Sequence, residues 1–316
     1  MARYPFGLCD LHCDTLFEIE KHGTGLHNRE QHISFDRTGD FSSYAQVMAV
    51  WSDVRTEEET CWQRFLDIRA LLDRELEKHP EIALCRTGAE LRAAHDGGRQ
   101  AVVLAVEGGK LLAGDLSRVD ALYDAGVRMM TLVWGERSCM GGAHDIGGGL
   151  SPFGISVLKR MLARGMVPDV SHASREIFYQ TAAYADAAGV PFIATHSNSF
   201  SLREHTRNLT DEQFKMIRDA HGVVGVSLCV PHLCAEETCP VSRAVDHIEH
   251  YLSLGGEKTV CFGCDLDGIG SMPEPMTGIG SMGLIAEELY RRNYSETLIA
   301  DIFSGNADAF FRKNLR

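Results

Sequence analysis

His12 and Asp14 stand two residues apart at the end of the run Phe6-Gly-Leu-Cys-Asp-Leu-His-Cys-Asp14. On a strand that spacing sets both side chains on one face, with Leu11 and Cys13 on the other, so His-x-Asp is a two-donor chelate. A surface strand end carries such pairs too, and the rest of the chain has to decide. Glu107 closes Val-Val-Leu-Ala-Val and precedes Gly108-Gly109, so a carboxylate leaves a buried strand where small residues permit close approach. Burying it unpaired is costly, and a cation removes that cost. His172, in Pro-Asp-Val-Ser-His, and His196, in Phe-Ile-Ala-Thr-His-Ser, each end an apolar run. Singly, each is more often a hydrogen-bonded core histidine than a ligand. Two on consecutive strands, beside His-x-Asp and Glu107, make a nitrogen and oxygen donor set suited to zinc.

Five donors exceed what one open catalytic zinc needs, so two metals sharing Glu107 is the economical arrangement. Such a pair, about 3.5 to 4 Å apart, activates a bridging hydroxide and polarises the carbonyl under attack. Asp265 is left over by that count. An acid at the same rim can carry the nucleophile's proton to the leaving amine.

The elements that must hold these residues recur regularly. Apolar strand-like runs cover residues 6–14, 44–51, 101–107, 128–134, 167–172, 191–196, 223–229 and 260–267. Helical patterns lie between them at 57–78, 116–125, 154–164, 174–188, 211–220 and 244–254. Strand and helix alternating eight times predicts an α/β fold, a single (β/α)8 TIM barrel over 1–316, with an irregular excursion at 18–43. In that fold the carboxyl ends of the strands form the active-site rim, which is where the candidate donors fall. Gly126 and Gly165 follow helical runs as helix-ending glycines, and Thr210-Asp-Glu-Gln213 is a capping box.

Composition excludes other classes. The 316 residues are 44% hydrophobic and carry a formal net charge of -13, without the basic stripe that nucleic acid requires. The amino terminus lacks the apolar core of a signal peptide and no run is long enough to span a bilayer, so no membrane partner is expected. The 10 cysteines lie mostly in apolar runs, as buried thiols of a reducing compartment do, and a cytoplasmic location is expected. Cys261-Phe-Gly-Cys264 matches a redox motif in form only, because residues three apart on a strand face opposite ways. Cys229, Cys234 and Cys239 make no tight chelating pair, and His22, His27, His32, His247 and His250 fit no site.

Taken in order, Asp10-Leu-His12-Cys-Asp14, Val106-Glu107-Gly-Gly109, Gly149-Leu-Ser-Pro-Phe-Gly154, Asp169-Val-Ser-His172, Thr195-His196-Ser197, Arg207-Asn208 and Gly263-Cys-Asp265-Leu-Asp267-Gly268 resemble the membrane (renal) dipeptidase family of the amidohydrolase superfamily. The resemblance runs over essentially the whole chain. It implies a (β/α)8 barrel that cleaves dipeptides, often with a D-residue at the carboxyl side, and is frequently a homodimer. It places His12 and Asp14 on one zinc, His172 and His196 on the other, and Glu107 between them. Asp265, rather than Asp267, takes the acid/base role, and Arg207 holds the substrate's terminal carboxylate. One departure stands out: Trp134 occupies the place of a histidine that stabilises the oxyanion in the renal enzyme, so substrate preference and rate are expected to differ. His232 falls where relatives carry an aromatic ring lining the pocket. Cleavage of acylated amino acids or lactams, or metal binding without turnover, are the competing readings.

Overall fold

The computed structural model describes residues 3–135 and 137–316. Its strands, in chain order, are β1 Leu8–Cys13, β2 Tyr44–Trp51, β3 Ile82–Leu84, β4 Gln100–Glu107, β5 Val127–Thr131, β6 Arg137–Ser138, β7 Gly141–Gly142, β8 Val167–Asp169, β9 Val224–Val226 and β10 Val260–Phe262. Seven of them curl into one parallel sheet in the order β8-β5-β4-β2-β1-β10-β9, with β3 paired to β4 beside it. Residues 191–196 close the ring. They pair through single bridges, Asp169 with Ile193 on one side and Ala194 with Val224 on the other. The expected eight-stave barrel therefore forms, its sixth stave joined by isolated bridges rather than a ladder. The β6-β7 pair is a small antiparallel hairpin in the loop after β5.

One apolar cluster draws Cys9 and Leu11, Ala45 and Val47, Val103 and Ala105, Met129, Val167, Ile193, Val223 and Cys261 together, a contribution from every stave. Only the lumen of a closed ring can be fed in that way. Phe310, Phe311 and Leu315 from the last helix join the same cluster and stop the barrel's amino-terminal end. A larger cluster packs the outward residues, Leu8, Met48, Leu104, Met130 and Phe262 among them, against the helices. Cys261 lies in the inner cluster and Cys264 in the outer one, on opposite faces as expected.

β1 departs from simple alternation. Leu8 and Cys13 belong to the outer cluster while Cys9 and Leu11 belong to the lumen. Strict alternation would put residue 13 with 9 and 11. Against β2, Asp10 pairs with Gln46 but Cys13 pairs with Met48, so three steps on β1 match two on β2. This bulge re-aims the strand's end. Leu11 and Cys13 thus do not share a face, contrary to the reading from spacing, and the bulge lets lumen packing below continue into His12 and Asp14 above.

Six helices fall where periodicity places them, at Glu58–Lys78, Ser117–Asp124, Pro152–Arg164, Arg175–Ala188, Asp211–Asp219 and Val241–Ser253. Gly165 ends its helix in the left-handed conformation, and the Thr210 capping box is complete on both sides. The excursion is less irregular than expected. It opens with a helix, Thr15–His22, and carries a 3-10 turn at Phe35–Arg37. Its later part is tied down by Asp267, whose carboxylate accepts hydrogen bonds from the backbone N–H groups of His32 and Ile33 and from Thr15 Oγ1.

Candidate active site

Each of the five expected donors reaches the barrel mouth from a different place on the rim. His12 and Asp14 end β1, Glu107 ends β4, His172 follows β8, and His196 follows the sixth stave. His12, Glu107 and His196 are buried, and Asp14 is 7% exposed. Glu107 Oε1 lies 3.0 Å from His172 Nε2, 3.3 Å from His196 Nε2 and 3.5 Å from His12 Nε2. His172 Nε2 and His196 Nε2 are 3.0 Å apart, and His12 Nε2 is 3.7 Å from Asp14 Oδ2. Two three-donor groups result, His12 with Asp14 and Glu107, and Glu107 with His172 and His196. Zinc bonds of about 2.0 to 2.1 Å in a tetrahedron set donors about 3.3 to 3.4 Å apart, close to these separations.

Several polar atoms of these side chains have no hydrogen bond. Both ring nitrogens of His12, Asp14 Oδ1 and His172 Nδ1 are buried without a hydrogen bond. Leaving such groups unsatisfied costs about 1–3 kcal/mol each, a cost that a bound cation offsets. Burial, reinforced by the Arg207 charge, holds His172 down to about 4, and burial with His12 nearby holds His196 well below the ordinary imidazole value. Both are therefore neutral, the ligating form. Burial alone would raise Glu107, yet His12 and His172 outweigh it and keep its carboxyl well below the usual range.

Asp169 orders this half of the site. Its carboxylate accepts from the backbone N–H of Ser171 and of Thr195, each at 2.9 Å, and from the Thr131 and Thr195 hydroxyls. With its hydroxyl proton given to Asp169, Thr195 Oγ1 accepts from His196 Nδ1, 2.8 Å away. That fixes the His196 tautomer and leaves Nε2 bare toward Glu107. The Asp169-Val-Ser-His172 motif contains this residue, but its link to Thr131 is visible only once β5 and β8 are adjacent.

Asp265 stands beside the donors, its Oδ1 4.0 Å from His12 Nε2, and with His12 and His196 it makes a third cluster of close donors. Burial, together with Asp14 and Glu107 and against the pull of His12, pushes its carboxyl up to about 8. Cations nearby would draw it back down. Asp267, two residues on, is occupied in anchoring the excursion and is 4% exposed at its side chain. The backbone at both is left-handed, φ 64° at Asp265 and 66° at Asp267, which turns the two carboxylates apart. Gly268 leaves room for two of these carboxylates: a Cβ there would meet Asp14 Oδ2 at 2.1 Å and Asp265 Oδ1 at 3.0 Å, so they would have to shift.

Above the donors opens a cleft of about 440 Å³ that also takes in Trp51, Trp134, Arg207 and His232. The size suits a small ligand. Trp134 packs edge-on to Trp51, centroids 5.0 Å apart, and lies 5.9 Å from the His172 ring. His232 stands 4.7 Å from His205, a residue with no sequence signal that shares the wall. His144 enters the cleft from the loop after β7, held by its N–H to the His172 carbonyl at 2.9 Å. Burial and the Arg207 charge keep His144 and His232 neutral, down to about 3 and about 2.

Arg207 is 5% exposed, and its Nε has no partner. Among the described residues its guanidinium has one hydrogen bond, Nη2 to the His196 carbonyl, long at 3.4 Å, and no carboxylate within ion-pair distance. Asp265 and Glu107 offset its charge only from farther away, so the guanidinium is buried without a direct ion pair. Three histidines outside the mouth have structural partners: His247 bridges Ser199 N–H and the Leu233 carbonyl, His250 meets Asp211 at 2.8 Å, and His32 Nδ1 accepts from Asp267 N–H.

The model of the membrane dipeptidase family, peptidase family M19, matches residues 4–313. Among curated proteins the chain is 30% identical to an uncharacterised protein in the pqqA 5′ region of Klebsiella pneumoniae, over 75% of this chain and 90% of that one. It is 27% identical to dipeptidase 3 of Rattus norvegicus over 98% of its own length, spanning 65% of that protein. The fold superposes on a metallo peptidase from Rhodobacter sphaeroides, solved with a phosphinate mimic of the dipeptide L-Ala-D-Ala, with TM-score 0.90 at 22% identity over 99% of this chain and 100% of the other. The probable dipeptidase PvdM from Pseudomonas aeruginosa superposes with TM-score 0.89 at 18% identity, covering 98% and 96% of the two chains. With a family match over nearly its whole length, and a barrel mouth that gathers donors for metal, the chain belongs to the membrane dipeptidase family of metal-dependent hydrolases.

Proposed function

We propose that this chain hydrolyses dipeptides bearing a free terminal carboxylate, including those with a D-residue at that end, at two zinc ions. His12 and Asp14 would hold one ion, His172 and His196 the other, and Glu107 both. When bound, such ions supply an activated water and polarise the scissile carbonyl. Arg207 then orients the substrate by taking its carboxylate through two parallel hydrogen bonds, which sets the peptide bond over the donors. Asp265, within the same cleft, takes a proton on the attack side and returns it to the leaving amine. Trp51 and Trp134 wall the cleft with apolar surface and exclude water from the reacting carbonyl. His144 and His232, being neutral, offer hydrogen bonds without adding charge.

The observation that carries this reading is the buried Arg207, without a direct ion pair, facing the cavity that also holds the shared-carboxylate donor set. A substrate with a terminal carboxylate supplies the direct partner. The test is a panel of dipeptides with L- and D-residues at the second position, their amides, and N-acyl amino acids, run with metal analysis on the same sample. Two zinc ions per chain, activity lost on chelation, and preference for free dipeptides are expected. Faster turnover of N-acyl amino acids would replace the substrate assignment, and turnover surviving complete metal removal would refute the mechanism.

A further inference from the structure

A second cluster of donors lies far from the mouth. His27, in the excursion, His79, at the end of the helix Glu58–Lys78, and Glu81, just before β3, bring three donor atoms within 4.8 Å of one another. Glu81 Oε1 is 3.2 Å from His27 Nε2 and 3.2 Å from His79 Nδ1. Those separations match the edge of a tetrahedral zinc site, about 3.3 to 3.4 Å. The cluster sits at the other end of the barrel. Ile82 of β3 pairs with Gln100, seven residues before Glu107 on β4, which is about 23 Å along the strand.

Hydrogen bonding accounts for only one of the two contacts, that of His79 Nδ1 with Glu81. Both imidazoles approach one carboxylate oxygen, and the His27 Nε2 atom is buried without a hydrogen-bond partner. The local chain is nevertheless held in place to present it. Leu26 N–H donates to the buried Glu75 Oε2 at 3.1 Å, and a Cβ on Gly25 would come within 2.5 Å of that oxygen. The same Glu75 oxygen lies 3.9 Å from His79 Nε2, on the far side of the ring from the nitrogen facing Glu81. At that distance Glu75 is an ion-pair neighbour of His79 and not a hydrogen-bond acceptor.

We propose that His27, His79 and Glu81 bind one divalent transition ion such as zinc, clamping the excursion to the helix Glu58–Lys78 and β3. Two imidazoles and one carboxylate are zinc-type donors, with a fourth position open to water. The rings are stacked at 4.1 Å with planes 9° apart. A ring-nitrogen lone pair lies in the ring plane, so one ring turns on binding. His27 is the one that moves, because His79 Nδ1 already faces Glu81 in a hydrogen bond while His27 Nε2 has none. The clamp joins one end of the excursion to the barrel flank while Asp267 ties the other end to the mouth. The proposal does not rest on the dipeptidase reading.

The test counts ions. Metal-stripped wild type, His27→Gln and Glu81→Gln are equilibrated with zinc at equal free concentration, freed of excess, and analysed for zinc per chain, with circular dichroism to confirm folding. The difference between wild type and variant carries the test, whatever the total at the mouth. Each variant is expected to hold one ion fewer than wild type, and cobalt titration should lose one tetrahedral absorption component. Equal ion counts in wild type and Glu81→Gln, a half-exposed side chain whose change leaves the packing intact, would overturn the proposal even if His27→Gln does not fold.

Discussion

Replacing Arg207 with methionine isolates the carboxylate grip, because methionine keeps the unbranched apolar stem and removes the charged fork. In the free protein that fork has one long hydrogen bond and no direct ion pair, so most of its hydrogen-bonding capacity is unspent. A dipeptide carboxylate accepts two charged hydrogen bonds worth about 1.5 to 3 kcal/mol each, about 3 to 6 kcal/mol together. At about 1.36 kcal/mol per decade, Arg207→Met lowers kcat/KM for a free dipeptide by about 10²- to 10⁴-fold, chiefly through KM. The matching amide offers one acceptor oxygen and loses about 10- to 10²-fold. The assay is therefore kcat/KM for one dipeptide and its amide in both proteins. Lysine at 207 should restore only part of the loss, since it brings charge without the planar fork. Thermal unfolding of the metal-free protein should not fall in Arg207→Met, because an unpaired buried charge has been removed rather than a pair broken. An unchanged ratio of free dipeptide to amide would refute the reasoning and leave Arg207 as a support for the loop before the Thr210 helix.

Asp265→Asn should keep its metal and lose about 10² to 10⁴ in turnover, the ordinary scale of acid/base catalysis, with metal analysis excluding a ligand role. Glu107→Gln should weaken both ions together, seen as a parallel loss of the two equivalents in a zinc titration, because one oxygen faces three of the donor histidines. Gly268→Ala should fold normally and lose the ion on the His12 and Asp14 side first, since the added methyl group falls on Asp14 Oδ2; an unaffected zinc titration would show that Asp14 is not a donor.

Much of this arrangement was legible from residue order. The staves are short apolar runs, and the acid or histidine at the carboxyl end of five of the eight falls on one rim by the geometry of the fold. The structure does bring His12, Asp14, Glu107, His172, His196 and Asp265 together. What stayed hidden depends on neighbours. The β1 bulge is a mismatch of two strands and has no signature in β1 alone. Asp169 looks like any polar residue on a strand until Thr131 and Thr195 flank it. His144 and His205 come to the cleft from separate loops. Some misses did have signals. Thr87-Gly-Ala-Glu90 announces the helix Gly88–Asp96, with the Thr87 side chain accepting from Glu90 N–H, and Ser295 caps Glu296–Ala300 likewise. The helix Thr15–His22 is eight residues long and has no side-chain cap, too short for periodicity to speak.

The isolated bridges at the sixth stave give the barrel a seam. β2 and β4 share a run of paired residues from Ala45 to Trp51, while β1 and β10 share one register pair, Asp10 with Phe262, and the bridge of Cys13 with Leu266. At residues 191–196 the ring is held by the bridges of Asp169 with Ile193 and Ala194 with Val224, by backbone hydrogen bonds such as Ile193 N–H to the Pro168 carbonyl and Ala194 N–H to the Val223 carbonyl, and by the Asp169 carboxylate acting as a rivet. Local opening starts where the fewest backbone bonds must break. Amide protons at Ile193 and Ala194 should therefore exchange with solvent ahead of those in β2 and β4. His172 and His196 flank this seam, while His12 and Asp14 end β1, whose ladder to β2 holds four residue pairs, so an ion held on the His172 and His196 side is expected to be released and recaptured faster.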